Sequence, residues 1–376
     1  MTAEALTVLT SVLVAVPQLK ADLGATSGAQ GGVGVVTPSA GAAGWIRPEL
    51  AVRAGAGNAV LEAGYGPSLF ATSDPGAGVA HAGRASLEIA PAPSRRISGR
   101  LDFFVGPTGV RFPTGAVADL LPAVRRWHAF DANLGLREEL TRRLRLTAGL
   151  GFFSGGALEA EEQSIEPRYF GPTFDGELEY ELGRNDLLQP KIELGRSFYA
   201  TGGEDFGAAS ARWVHQVAPD FRLSARAGGG AVLRQTEPGV ALLPILGLSA
   251  DREVKWRTRR LELGSELELA PQHSVFTGRR LLSASAEGRG RWIARERLAV
   301  SLRLGGMMVA APSAPERIAF ASLGAEWIFL RDFGLHAIAS AQRRWVVLAG
   351  QSIPPWAWVF GAGVSWHMRN VFESQR

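Results

Sequence analysis

The chain has no cysteine among its 376 residues, so neither a disulfide framework nor a thiolate metal site can hold it together. It has no long hydrophobic run either. Past the first 16 residues nothing approaches the roughly 18 uninterrupted apolar residues that a membrane helix requires. A membrane, if spanned, is spanned by strands. Charge of one sign is also missing: 40 Lys and Arg against 36 Asp and Glu leave a formal charge of +4. The arginines are scattered instead of forming a patch, which argues against nucleic acid as a partner. A soluble chain of this length would fold as two or three domains joined by linkers, and no linker is recognisable.

What is present is alternation. In Arg260-Leu261-Glu262-Leu263-Gly264-Ser265-Glu266-Leu267-Glu268-Leu269, the leucines at 261, 263, 267 and 269 share one face and Arg260, Glu262, Glu266 and Glu268 the other. Successive side chains leave a pleated backbone on opposite sides, so period two means strand. The pattern recurs near 18–27, 42–54, 58–72, 81–91, 96–106, 125–137, 142–154, 168–182, 187–199, 209–218, 221–234, 239–250, 256–270, 279–294, 297–310, 316–330, 333–347 and 356–369. One face is charged and the other apolar from end to end. That predicts an all-β fold, a transmembrane antiparallel up-and-down β-barrel of about 18 strands, in the outer membrane of a Gram-negative cell. The mostly apolar run Ala5 to Val16, followed by Pro17, has the length of a signal-peptide core, although Glu4 replaces the usual basic residues. The expected organisation is a signal peptide at 1–17, the barrel at 18–370 and a short tail at 371–376.

Connections fall into two classes. Short polar links such as Gly55-Ala56-Gly57, Ala218-Pro219-Asp220 and Leu330-Arg331-Asp332 alternate with longer ones at 73–80, 107–124, 155–167, 200–208 and 348–355. Short periplasmic turns and longer extracellular loops on opposite rims account for that alternation. Arg or Lys facing lipid at mid-depth costs roughly 2–4 kcal/mol, so the charged face is the inner one. The expected lumen-lining residues are Arg84, Glu88, Arg100, Asp102, Arg143, Arg145, Asp175, Glu177, Glu179, Glu181, Lys191, Glu193, Arg222, Arg226, Glu262, Glu266, Glu268, Arg289 and Arg303. Their mixture of signs argues against strong ion selectivity and suits uncharged or mixed polar solutes such as sugars. Trp256, Phe221, Trp292, Trp327 and Phe333 fall beside short turns, and Phe103, Phe152 and Phe198 near the long-loop ends, as two interfacial girdles require.

Catalytic constellations are not recognisable. The six histidines, His81, His128, His215, His273, His336 and His367, show no metal-ligand spacing, and there is neither a nucleophile elbow nor a phosphate-binding loop. No metal or cofactor is expected. Glu159, Glu161, Glu162 and Glu166 form an acidic loop that reads as a solvated tip, with cation binding as the sharper alternative. Loop 107–124, with Val110, Phe112, Val117, Leu120 and Leu121, either folds into the lumen or packs on the rim.

The final strand, Trp358 to Met368, resembles the C-terminal strand that the bacterial barrel-assembly machinery recognises, with a tail beyond the usual aromatic terminus. The Leu-x-Leu-x strands, the basic tight turns at Arg142-Arg143 and Arg295-Glu296-Arg297, and the Ala/Gly/Arg-rich composition resemble the roughly 18-stranded outer-membrane barrels of myxobacteria-like organisms. Some of those partner periplasmic polysaccharide-export proteins. The resemblance implies a conduit for polysaccharide export, surrounded by outer-membrane lipid and lipopolysaccharide, with a periplasmic export protein below. The alternatives are a general or sugar-selective diffusion porin, a barrel enzyme acting at the outer rim, and a structural or adhesive barrel with a closed lumen.

Overall fold

The computed structural model describes residues 18–33, 40–72, 77–106, 127–161, 163, 168–199, 202–236, 239–273, 279–294, 297–310, 316–345 and 356–373. Among them run eighteen strands: β1 Gln18–Val33, β2 Ala40–Ala56, β3 Ala59–Thr72, β4 Ala77–Ala92, β5 Arg95–Gly106, β6 Trp127–Thr141, β7 Leu144–Ala157, β8 Tyr169–Glu181 and β9 Asp186–Tyr199. The second half comprises β10 Gly202–Ala218, β11 Phe221–Arg234, β12 Val240–Trp256, β13 Arg259–His273, β14 Arg280–Ala294, β15 Leu298–Val309, β16 Glu316–Leu330, β17 Phe333–Trp345 and β18 Trp356–Glu373. Each pairs antiparallel with the next in sequence. β18 pairs with β1 from Lys20↔Glu373 to Val33↔Trp358, so the sheet closes on itself and leaves no unpaired edge. At 12 to 18 residues, the strands exceed the roughly 9–11 that a tilted strand needs to cross hydrocarbon.

Two ion pairs decide which face is inside. Arg226 on β11 reaches Glu268 on β13 at 3.4 Å, and Arg289 on β14 reaches Asp251 on β12 at 2.7 Å, each passing over the strand between them. Side chains converge on the concave side of a cylinder and splay on the convex side, so next-but-one strands touch only inside. The bridged positions are Gly247 and Gly264. A Cβ on Gly264 would collide with Arg289 Nε and Asp251 Oδ1, so that pair depends on the missing side chain.

The convex face is apolar and bare. Leu150, Leu242 and Leu248 stand 60%, 79% and 59% exposed, which only a surrounding hydrocarbon makes favourable. Aromatic rings bound this band at both ends. Toward the long-loop rim, Phe130, Phe152, Phe170 and Phe198 on β6 to β9 form a chain of ring contacts with centroids 6.2, 6.5 and 5.2 Å apart. At the short-turn rim, Trp327, Phe329, Phe333 and Trp366 form another, at 5.9, 6.1 and 6.5 Å. These are the two girdles expected from the sequence.

Several expectations change. The first strand runs on to Val33, well beyond 27. The segment expected as a loop at 200–208 is strand from Gly202, and 73–80 is strand from Ala77. The last strand reaches Glu373, three residues into the expected tail. Arg143 sits in the turn between β6 and β7, where its carbonyl accepts from Glu181 N–H (2.9 Å) and its N–H donates to Thr141 Oγ1 (3.2 Å). It is a rim residue and not part of the wall. The expected signal peptide at 1–17 and the loop at 107–124 lie outside the described residues.

Candidate channel lumen

The strand register sets inner charges side by side. On β7 and β8, Arg145 stands opposite Glu179 and pairs with it, with Glu139 and Glu181 at 3.6 and 3.8 Å. Lys191 pairs with Glu193 at 2.5 Å and lies opposite Glu177, which also accepts from Gln189 at 3.3 Å. Asp175 stands opposite Glu193. The carboxylates of Glu177, Glu179 and Glu181 on β8 are therefore offset by basic neighbours. Elsewhere Glu88 meets Arg96 at 3.4 Å, Arg100 pairs with Asp102, and Glu262 pairs with Arg260. Arg303 grips Glu287 through two hydrogen bonds of 3.0 and 2.9 Å. Arg84 lies opposite Asp102, Arg222 opposite Asp251, and Glu266 opposite Ser249 and Glu287. Every residue assigned to the lumen from sequence, Arg143 excepted, occupies the inner face. Partly exposed pairs contribute about 0–1 kcal/mol each, so their collective effect is a hydrated wall more than a rigid one.

The inner face also carries an apolar cluster that alternation did not reveal. Phe206, Ala208, Val232 and Ile245 are buried together, with Ala241 and Leu243 against them. The chain entering β14 lies over this cluster. The Arg280 guanidinium stacks 3.9 Å from the Phe206 ring centre, its backbone N–H donates to Glu204 Oε1 at 2.8 Å, and its carbonyl accepts from Arg234 Nη2 at 2.8 Å. Arg279 stands 6.0 Å from the Tyr199 ring. Strands β11 to β13 separate β14 from β10 along the wall, so this segment reaches across the inside of the barrel. Glu204 has no exposed side-chain surface, and Arg234 Nε lies 3.6 Å from its Oε2. One sequence signal was available: Val240 to Ile245 is apolar on both parities, apart from Pro244.

A second recess opens on the wall from β2 to β8. Its volume is about 570 Å³, and its lining includes Arg47, Glu49, Arg84, Phe104, Asp102, Asp131, Phe153 and Tyr169. The inward aromatics come from the doublets Phe103-Phe104 and Phe152-Phe153, which place one ring on each face. A polar recess lined by Ser86, Glu88, Ser98, Arg100 and Asn133 continues from it and shares Asp102 and Asp131. His336 faces inward opposite Glu326. Among the described residues no group of three or more His, Asp or Glu side chains is placed to hold a metal.

No protein-family model and no curated protein matches the sequence. Solved structures match the fold. Acinetobacter baumannii OccAB2 superposes with a TM-score of 0.53 at 11% identity, covering 93% of this chain and 98% of that one. The fold is that of these outer-membrane β-barrels. Pseudomonas aeruginosa OprD gives a TM-score of 0.53 at 10% identity, covering 94% and 96%. Pseudomonas aeruginosa OccK2, solved in complex with glucuronate, gives 0.53 at 14%, covering 93% and 98%. At such identities the likeness carries the barrel and not a shared site. It supports an outer-membrane β-barrel fold, and it lends nothing to the myxobacterial type or to the export partner implied by strand style.

Proposed function

We propose that this chain is a diffusion porin of the outer membrane, a passive channel for small polar solutes. One observation carries the reading: a closed 18-stranded barrel keeps charges of both signs on its concave face, paired along and across strands, and apolar side chains on its convex face. A barrel of this strand number encloses an aqueous channel unless loops fill it, and a wall of opposed charges lets water and uncharged solutes pass without a large electrostatic barrier. Lipid and lipopolysaccharide are its surroundings, the barrel-assembly machinery inserts it, and it works without an enzyme activity or a cofactor. An export protein beneath it is not needed for this role, which is why the diffusion reading displaces polysaccharide export.

Purified barrel reconstituted alone in planar bilayers is expected to give steady ohmic conductance with weak preference between cations and anions. Bilayers that stay silent until a periplasmic export protein is added, together with loss of surface polysaccharide in a deletion strain, would return the assignment to export.

A further inference from the structure

The inner wall is not uniform, and the recess between β2 and β8 is built for a particular kind of solute. Its upper row, read across strands in register, is Ala82, Phe104, Ala129, Gly155 and Tyr169. The row beneath is Arg84, Asp102, Asp131, Phe153 and Gly171. Phe153 and Tyr169 stand with centroids 6.0 Å apart and planes at 45°. Tyr169 lies along the wall because Gly155 has no side chain: a Cβ there would fall 2.7 Å from its Oη and 2.8 Å from its Cζ. Small residues thus leave room for both rings on the lining of the recess, while charged groups flank them on the β2 to β6 side.

Those flanking groups set the chemistry. Arg47 and Glu49 pair at 3.1 Å, and Asp102 stands opposite both Arg84 and Asp131. Two carboxylates directly opposite each other repel, and with Glu49 the lining holds three carboxylates, balanced by the guanidinium groups of Arg47, Arg84 and Arg100, the last paired with Asp102 from the adjoining recess. Such a set offers many hydrogen-bond acceptors, some donors and no positive excess. An anionic solute gains no net attraction there, whereas a hydroxyl-rich neutral ring can donate to Asp102 and Asp131 while its C–H face covers an aromatic ring. The volume, about 570 Å³, falls within the range of roughly 300–1,000 Å³ typical of small-molecule sites.

We propose that this recess is a subsite for a neutral, polyhydroxylated ring of hexose size, with Phe153 and Tyr169 as stacking surfaces and Asp102 and Asp131 as hydroxyl acceptors. The subsite deepens the diffusion reading and rests on it for its physiological meaning. Its test does not depend on conductance. Saturation-transfer NMR on the barrel folded in zwitterionic detergent, with glucose as the probe, is expected to show transfer to the ring protons. Phe153→Ala and Tyr169→Ala should each weaken binding about threefold to tenfold. Phe153→Leu, which keeps apolar volume without a ring face, should weaken it similarly, and heat-modifiable gel migration reports whether each variant remains a barrel. Asp131→Asn, which trades a charged acceptor for a neutral amide, should weaken glucose binding and improve glucuronate binding. Equal glucose transfer in wild type and ring variants, no transfer at all, or tighter binding of glucuronate than of glucose to the wild type each overturns the subsite. Glucose binding without conductance would instead keep the subsite and remove the diffusion reading.

Discussion

Glu204 is the residue on which the inner architecture is most sharply focused. Its carboxylate is wholly buried, accepts from the Arg280 N–H and faces the Arg234 guanidinium. Removing one member of a buried ion pair leaves the other charge uncompensated and costs about 3–5 kcal/mol. Glu204→Gln keeps the shape and discards the charge, so it is expected to lower the free energy of unfolding from vesicles by about 3 kcal/mol, read by urea titration. Because the same carboxylate holds the segment entering β14, single-channel current through this variant should also fluctuate more. Glu268→Gln, which loosens a partly exposed pair with Arg226, should cost about 1 kcal/mol. Equal losses in the two variants would show that Glu204 holds nothing that an ordinary wall pair does not.

A strand has two faces in different solvents, and parity alone separates them. Leu150 lies midway along β7 facing outward, and Thr147 faces inward opposite Arg137 and Glu177. Leu150→Arg is expected to destabilise the folded barrel by roughly 2–4 kcal/mol in the same titration, whereas Thr147→Arg should change it little, since it faces the hydrated lumen and Glu177 on one side offsets Arg137 on the other. Similar losses at both positions would contradict the assignment of faces. The same parity made the strands and nearly all of the inner charges legible in the sequence, because charge on one face and leucine on the other is a local signal. What escaped was non-local or two-sided. Gly202-Gly203-Glu204-Asp205 looks like loop by composition, yet it is strand paired with β9 and β11, and Glu204 there meets the Arg234 guanidinium from β11 and the Arg280 N–H from β14. Arg143 has lumen parity and still lies in a turn, since the hairpin ends at Thr141 and restarts at Leu144. Inward Phe104 and Phe153 were hidden by their outward neighbours. No pattern along one strand tells which inner residues meet across the barrel.

At the scale of the whole molecule, closure depends on one seam joining the ends of the sequence. β1 and β18 are the most distant strands in the chain and register along nearly their full length, including Ala29 opposite Ala362 and Ala25 opposite Trp366. The chain has no native cysteine, so paired substitutions report that seam without interference. Residues directly opposite in an antiparallel pair have Cβ atoms about 4.5–5.5 Å apart, close to the separation that a disulfide bridges. The double variant Ala29→Cys with Ala362→Cys is expected to oxidise to an intramolecular disulfide in the folded barrel, and the boiled, unreduced chain should then migrate faster as a covalent loop. Ala29→Cys with Trp366→Cys, displaced by four residues along β18, is expected to remain reduced. Efficient crosslinking of the displaced pair, or failure of the opposite pair in protein that is heat-modifiable, would mean that the barrel closes in another register. A register slip of one residue would also exchange the inner and outer faces of β1 relative to its partners, so this crosslink tests the closed cylinder and the assignment of its wet interior together.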